Sequence, residues 1–419
     1  MNAIPTFSGS PAAPNHDKRV IGLISAAHGL SHLYQLLIAS LFAFISPDLG
    51  LSYTQLGILL TLFFAASSIG QVAAGFAVDS LGARKLLIAG LMLCGLAYIA
   101  AGLSNGFVGL ALAAFLAGVG NSVFHPADFS LMNQLVSTQR MSWAFSLHAI
   151  GGNIGYVLAP IYAVAAQKML GWHGALILAG AIGVCLAFWL MIEPILRLAP
   201  APSKHALAKD WSLRELMAPL LSPVIFLAFA FFCVTTFYSV SISSFGPALF
   251  RDVHGLSIEK GTFLLSMYLL AQTLGIIFGG WVGSTGIAPG RTASLATATA
   301  GLIACGLFFA PLDYALLMTV LLSVGVCVGI VSPSRDLLIK RAAPKQALGR
   351  AYGVVYAGFD VGACIAPVLY GTLIDHHLGM VVFACAVASL FVNALIARRL
   401  DSNVGSSMTS GEALPAAPR

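Results

Sequence analysis

Long apolar stretches, separated by short polar breaks, run along almost the whole chain. A bilayer crossing needs about 20 consecutive apolar residues in a helix, and each stretch reaches or exceeds that length. Glycine and proline within the stretches agree with this interpretation, because membrane helices tolerate both. The pattern predicts an all-α integral membrane protein with twelve transmembrane helices. The predicted spans lie at roughly 20–46, 54–78, 84–104, 107–136, 141–166, 172–197, 222–250, 257–283, 291–310, 314–342, 347–374 and 379–400.

The composition supports a membrane protein and excludes several other classes. Of 419 residues, 58% are hydrophobic and only 9% are charged, whereas soluble domains carry about 25% charged residues. A water-soluble catalytic domain, a disordered chain, a collagen and a disulfide scaffold are therefore excluded. The seven cysteines lie in apolar stretches without a CxxC pair, which indicates small buried side chains. Because no phosphate-binding loop and no HExxH motif occurs, we expect no enzyme activity, no cofactor and no bound metal.

The basic residues are distributed as a signal of membrane topology. With the N-terminus in the cytoplasm, 18 of the 21 Lys and Arg residues fall on or near the cytoplasmic side. Lys168, Arg251 and Lys260 are the exceptions. This asymmetry follows the positive-inside rule and predicts that both termini lie in the cytoplasm. The net charge of +6 is thereby explained without nucleic-acid binding.

The two halves of the chain repeat each other. Gly57, Gly75 and Gly82 recur 204 residues later, at Gly261, Gly279 and Gly286. Six residues of the fourth and fifth spans recur 207 residues later. The first set is Gly118, Pro126, Gly151, Gly155, Ala159 and Pro160. The corresponding residues of the second half are, in the same order, Gly325, Pro333, Gly358, Gly362, Ala366 and Pro367. Two parallel six-helix halves, related by a pseudo-two-fold axis, are a transporter architecture with a substrate site between the halves.

This repeat defines the predicted domain boundaries. The tails, 1–19 and 401–419, are polar and are predicted to be disordered cytoplasmic segments. Helical halves at 20–197 and 222–400 flank a cytoplasmic linker at 198–221.

A loop motif joins the second and third spans. It consists of Gly75, Asp79, Gly82, Arg84 and Lys85 in the pattern GxxxDxxGxRK. Gly75 would permit close helix packing, Gly82 a tight turn, and Asp79 a cytoplasmic latch through hydrogen bonds. With twelve spans around it, this motif resembles the loop signature of the major facilitator superfamily. The resemblance covers essentially the whole chain and implies the major facilitator fold.

The fourth and fifth spans carry a more specific pattern. The fifth span contains a stripe of small residues, which includes Gly151 and Gly155 ahead of Pro160 and which we expect at the interface between the halves. Together with the segment Gly-Val-Gly-Asn-Ser-Val-Phe-His-Pro at 118–126, it resembles the bacterial fosmidomycin-resistance family of drug exporters. The chain departs from that family after the His-Pro pair, where Ala127 precedes Asp128 and an expected arginine is absent. Coupling or substrate choice can differ from the family accordingly.

Ionisable and polar residues within the spans are the candidate functional residues, since such groups are costly at membrane depth. The candidates for proton coupling or substrate binding are His28, His32, His125, Asp128, His148, Asn153, Arg335 and Asp360. In the repeat, Asp128 corresponds to Arg335, and the two could pair across the axis. Asp360, in an apolar helix, is the residue for which a purely structural role is hardest to find. The candidate helix-packing residues are Gly151, Gly155, Pro160, Gly358, Gly362 and Pro367.

These residues predict a secondary transporter that works by alternating access. Histidine titrates near neutral pH, so the favoured hypothesis is proton-coupled antiport that exports a small organic compound such as a drug or toxic metabolite. The proton gradient would supply the energy, and the expected partners are protons, a small-molecule substrate and the lipid bilayer, with the protein a monomer. Three alternatives remain open: a divalent-metal exporter that uses the His/Asp cluster, a small-carboxylate transporter that uses Arg335, and a non-transporting membrane receptor.

Overall fold

The computed structural model describes residues 14–199, 223–308, 312–342 and 348–410, and it is helical with no strand in those ranges. Short 3-10 turns at Thr138–Arg140, Ile195–Leu198 and Cys305–Phe308 supplement the α-helices. The α-helices are α1 (Pro14–Ser40), α2 (Phe42–Leu49), α3 (Tyr53–Leu81), α4 (Ala83–Gly102), α5 (Phe107–Asn121), α6 (Phe124–Leu135), α7 (Met141–Ile192), α8 (Pro223–Ser243), α9 (Gly246–His254), α10 (Ile258–Ser284), α11 (Pro289–Ala304), α12 (Tyr314–Ala342), α13 (Leu348–Asp375) and α14 (Gly379–Ser410).

Eleven helical segments of the described chain are long and apolar enough to cross a membrane. The longest, Trp143–Ile192, has 50 residues and would extend about 75 Å as one straight helix, more than twice the hydrocarbon thickness. Its backbone breaks at Gly171, where φ is 70° and ψ is 170°. The twelve predicted crossings are reached when the two arms of α7, on either side of Gly171, are counted separately.

The internal repeat recurs in the local backbone geometry. The first span of each half is followed by a short helix, α2 or α9, which ends on a left-handed glycine, Gly50 (φ 63°) or Gly255 (φ 69°). Positive φ suits glycine because it has no Cβ to collide with the backbone. The next helix of each half then starts from a serine N-cap, Ser52 or Ser257, whose hydroxyl accepts a backbone N–H in the first turn.

The small-residue stripe of α7 packs within its own half, so its predicted place between the halves is wrong. A Cβ at Gly151 would lie 2.7 Å from the carbonyl oxygen of Ser25, and a Cβ at Gly155 would collide with that of Gly29. These glycines let α7 approach α1 closely, as small residues do between membrane helices. Pro160 lies inside the same helix.

The C-terminal half repeats this packing. A Cβ at Gly358 would collide with the carbonyl oxygen of Phe229, and one at Gly362 would lie 2.7 Å from that of Cys233. The glycines therefore bring α13 onto α8, as their counterparts bring α7 onto α1. Pro367 lies inside α13 but has a different neighbour, because Gly57 of α3 packs against its carbonyl oxygen.

The two halves meet where α3 contacts α13 and where α7 contacts α10. At the start of α3, the carboxylate of Asp375 accepts hydrogen bonds from the backbone N–H groups of Tyr53 (2.7 Å) and Thr54 (2.8 Å). The Thr54 hydroxyl donates to the same carboxylate over 2.6 Å. The last residue of α13 thus caps the first turn of a helix in the other half, on the membrane side opposite the N-terminus.

The predicted tail boundaries need correction. Helix α1 begins at Pro14, inside the predicted N-terminal tail, and α14 continues to Ser410, inside the predicted C-terminal tail. Asp17 is fully buried and accepts from the Ser137 hydroxyl over 2.5 Å, which ties this turn of α1 to the end of α6. Most of the predicted linker lies outside the described residues.

Candidate functional site

Four of the predicted histidines and Asp128 lie together inside the N-terminal half. Helix α1 contributes His28 and His32 one turn apart, α6 contributes His125 and Asp128, and α7 contributes His148. A spacing of three or four residues places side chains on one face of a helix. We call these five residues the imidazole–carboxylate cluster.

The break between α5 and α6 positions the α6 residues. Helix α6 begins at Phe124, so Pro126 falls in its first turn, where a missing backbone N–H costs no helical hydrogen bond. Beyond this proline, the Asp128 side chain is completely buried, whereas His125 retains accessible surface. The cluster therefore reaches from a buried carboxylate to an accessible imidazole.

Asp128 lies at the centre of the cluster. Its Oδ2 atom is 3.0 Å from Nε2 of His148 and 3.3 Å from Nδ1 of His28. The two imidazole rings stack with centroids 3.7 Å apart and planes 22° from parallel. Among the described residues, none hydrogen-bonds the other carboxylate oxygen, Oδ1. A buried carboxylate with so few partners is stabilised when a proton is shared between it and the imidazoles.

The imidazole rings of His32 and His125 lie next to that of His28, on the outside of the cluster. The His28 ring is 4.3 Å from that of His32 and 5.1 Å from that of His125, measured between centroids. His32 in turn lies 4.4 Å from the ring of Tyr156. Gly152 makes room for this arrangement, because a Cβ there would lie within 3.0 Å of ring atoms of both His28 and His32.

A chain of hydrogen bonds, missed in the sequence analysis, continues from the cluster. The Tyr156 hydroxyl donates to the side-chain oxygen of Gln35, whose amide donates to Asn121 over 3.3 Å. Asn121 then donates to the Ser67 hydroxyl over 2.9 Å. The chain joins α7, α1, α5 and α3. Uncharged polar residues inside apolar spans were the available signal for it, since such side chains form interhelical hydrogen bonds.

Three side chains of the cluster lie close enough together to be considered as metal ligands. One donor atom each from His28, Asp128 and His148 lies within 4.8 Å of the others. A ligand imidazole binds a metal in its ring plane, yet these two rings are stacked. A metal midway between them would lie well out of both planes, so the arrangement fits hydrogen bonding better than coordination.

Arg335 and Asp128 do not form the predicted pair across the axis. Arg335 Nε donates instead to Asp336 over 3.1 Å, and Asp128 is held by the imidazoles of its own half. Each charge has a near partner within its own bundle, which removes the reason for a pair between halves. Tyr356 donates its hydroxyl to Asp336 over 3.0 Å.

The remaining predicted polar residues lie outside the cluster. Asp360 is half-buried beside the Ser68 hydroxyl of α3, at the contact between the halves. Asn153 donates back to the carbonyl of Ala149 in its own helix over 3.1 Å, and no hydrogen bond among the described residues links it to the cluster.

The loop motif keeps only part of its predicted role. Gly82 has φ 91° and forms the tight turn between α3 and α4. Arg84 donates to the carbonyl of Met191 over 2.5 Å, at the end of α7, where a cation is favourable. Gly75 has open space around it, so the prediction of close packing there is wrong. The Asp79 side chain lies outside the described part of the structure, and Lys85 is exposed.

Comparisons with known proteins agree with this architecture. A fosmidomycin resistance protein of Escherichia coli is 29% identical over 270 residues, which cover 63% of this chain and 64% of that protein. A probable sulfoacetate transporter of Cupriavidus necator is 22% identical over 90% of this chain and 94% of its own length. The chain thus aligns with slightly less than two thirds of the first relative and with nearly all of the second.

The fold is also that of solved transporters. A bacterial homologue of the human lysosomal transporter Spinster matches with a TM-score of 0.78 at 14% identity, over 97% of this chain and 100% of that one. The family model described as Major Facilitator Superfamily matches residues 24–367 and 262–410. Together with the two packed helical halves, these matches establish that the chain belongs to the major facilitator superfamily of membrane transporters.

Proposed function

We propose that this transporter exports a small organic compound in exchange for protons, by alternating access. The observation that supports this most directly is the buried contact between Asp128 Oδ2 and His148 Nε2, at 3.0 Å. The pair can hold a proton without leaving an isolated charge at membrane depth. The relationship to a fosmidomycin resistance protein favours export of a drug or toxic metabolite.

The same residues would form the proton path to Asp128. His125 has accessible surface, and its ring is 5.1 Å from that of His28, which itself lies beside the Asp128 carboxylate. Rotation of imidazole rings or an intervening water would pass a proton along such distances. We place both termini in the cytoplasm, as the distribution of basic residues predicts. We further propose that the protein is a monomer in the bacterial inner membrane.

The proposal is tested with inverted membrane vesicles energised by respiration. A pH-sensitive dye reports protons released when a compound is added from a panel of phosphonates, carboxylates, cationic drugs and divalent metals. We expect release by the wild type, and its loss in both Asp128→Asn and His148→Gln. His376→Gln, at an exposed turn, is the matched control and should behave like the wild type.

Asp360→Asn separates the two candidate proton sites. Release that persists in Asp128→Asn but disappears in Asp360→Asn would move the proton site to the contact between the halves. Substrate movement without any proton release would contradict antiport altogether.

A divalent-metal exporter is the second candidate, because three ligand atoms of the cluster lie within 4.8 Å of one another. It predicts saturable binding of Zn²⁺ or Co²⁺ to the purified protein that is lost in His28→Ala. The stacked rings argue against it, and absence of such binding would remove it.

A further inference from the structure

The positions of the two halves that correspond in the repeat carry opposite charges. Arg335 of α12 lies 207 residues after Asp128 of α6, and each follows a proline by two residues. Phe232 of α8 likewise lies 204 residues after His28 of α1. The place that holds a carboxylate between imidazoles in one half therefore holds a guanidinium between phenyl rings in the other.

Aromatic rings surround the Arg335 guanidinium. Its central carbon is 4.5 Å from the ring centroid of Phe232, 5.1 Å from that of Phe359 and 5.8 Å from that of Tyr356. Rings at these distances attract a cation through their faces, but they do not replace hydrogen-bond acceptors for its five N–H groups. The rings therefore orient the guanidinium and leave its edge to bind an acceptor.

The acceptor found at that edge is poorly suited to a structural role. Asp336 is the next residue along the helix, and neighbours in a helix do not face each other. The Arg335–Asp336 bond itself therefore joins no two helices, and the contact between helices at this point is the Tyr356 hydroxyl of α13, which donates to Asp336. A structural ion pair in a membrane bundle would instead join different helices.

Asp336 is also placed where it can be displaced. Its side chain is 42% exposed, whereas that of Arg335 is only 14% exposed. The Tyr356 hydroxyl, which donates to the same carboxylate oxygen, would keep it hydrogen-bonded after Arg335 left. The half-buried guanidinium can thus exchange its neighbouring carboxylate for another anion that approaches from the exposed side of Asp336.

We propose that Arg335 binds the anionic group of the transported compound and that Asp336 occupies this position between transport cycles. The substrate class is a small organic anion, with a carboxylate, sulfonate or phosphonate group and an apolar or aromatic body. Planar guanidinium groups bind such oxyanions through two parallel hydrogen bonds. The apolar body would lie against the exposed ring of Tyr356 and the partly exposed ring of Phe359. This inference rests on the proposed transport function and adds the substrate's charge to it.

Binding to the purified full-length protein in detergent tests the proposal without any proton gradient. The probes are benzoate and phenylphosphonate, with benzamide as the neutral control of the same shape, and the readout is titration by ligand-induced thermal stabilisation. The wild type should bind both anions more tightly than benzamide. Arg335→Gln should weaken anion binding about tenfold or more, the cost of losing charge-assisted hydrogen bonds.

Asp336→Asn provides the sharper measurement, because it removes the competing charge and leaves the guanidinium in place. It should tighten anion binding by about tenfold without improving benzamide binding. A purely structural pair predicts the opposite, namely weaker binding in both single variants. No anion binding in Asp336→Asn, where competition is absent, would also overturn the proposal.

A charge-neutral double variant controls for misfolding. Arg335→Gln combined with Asp336→Asn removes both charges of the pair, so its thermal unfolding should approach that of the wild type while the preference for anions stays lost. Restored preference would contradict the role of Arg335. Failure of this inference can be distinguished from failure of the proposed antiport. If neutral or cationic compounds release protons undiminished in Arg335→Gln vesicles, this inference fails while the proposed function stands.

Discussion

Replacing Asp375 by asparagine should loosen the contact that closes the two halves on the membrane side opposite the N-terminus. The carboxylate accepts three hydrogen bonds from the first turn of α3, at 2.6–2.8 Å. Asparagine keeps the shape, but its amide nitrogen cannot accept, and it removes the negative charge from a helix N-terminus. At least one backbone N–H of Tyr53 or Thr54 then faces a donor.

The magnitude follows from the number of bonds lost. One hydrogen bond to a charged group contributes about 1.5–3 kcal/mol, and a carboxylate at a helix N-terminus adds about 0.3–1 kcal/mol. Water can reach this rim and offsets part of the loss, so we expect a net change of about 2 kcal/mol. Because the bonds exist only while these ends meet, that change should favour the opened state about 30-fold.

Cysteine labelling in lipid nanodiscs measures this shift. Thr61 of α3 donates to the carbonyl of Cys364 in α13 over 2.8 Å, so a cysteine at position 61 is shielded while the halves meet. In a background with the native cysteines replaced, Thr61→Cys should react with a maleimide about 30-fold faster when combined with Asp375→Asn.

Asp313→Asn is the matched control. Asp313 is exposed and accepts a local hydrogen bond from the backbone of Ala315, at 3.0 Å, so its replacement should leave the labelling rate unchanged. Equal labelling rates in Asp375→Asn and in the control would refute the reasoning, because the three bonds would then contribute nothing to closure.

Three further outcomes follow from other contacts. Gly152→Ala should abolish proton release while the protein still folds, because the added Cβ lies within 3.0 Å of two imidazole rings; wild-type release would show that the rings need not keep this arrangement. Tyr156→Phe removes the hydroxyl that donates to Gln35 and should lower thermal stability by about 1 kcal/mol, measured by unfolding in detergent. Burial lowers the pKa of His254, outside the spans, and its Nδ1 atom accepts from the backbone N–H of Leu312 over 3.4 Å. Its stabilising effect should therefore be present above the ordinary histidine pKa and be lost as pH falls through that value towards the lowered one; an equal pH dependence in His254→Gln would contradict this.

The sequence predicts most of the fold because the deciding signals are local. Span length depends on bilayer thickness, and the turn at Gly82 requires a residue that tolerates positive φ. The internal repeat could also be recognised from residue spacing alone. The prediction that was wrong concerned the direction in which a helix face points. The glycines of α7 could face either the other half or α1, and residue spacing alone cannot distinguish these two orientations.

The residues of the candidate site could also be predicted from the sequence, but their contacts could not. His28 and His32 were identifiable from their spacing, and Asp128 from its depth in a span. Which groups each of them contacts depends on the packing of α1, α6 and α7, which no local pattern encodes. The predicted pair of Asp128 with Arg335 failed for this reason, since complementary charge at corresponding positions does not imply contact.

The separation of Asp128 from Arg335 would allow one duplicated scaffold to bind a proton in one half and an anion in the other, as we propose. If Asp128 and Arg335 neutralised each other, neither would be available to a proton or to an anion. Because each is enclosed in its own half, by imidazoles in one and by phenyl rings in the other, the two sites can be loaded separately. Coupling between them then has to travel through the movement of the halves, and the contact between Asp375 and the start of α3 is one place where that movement is resisted.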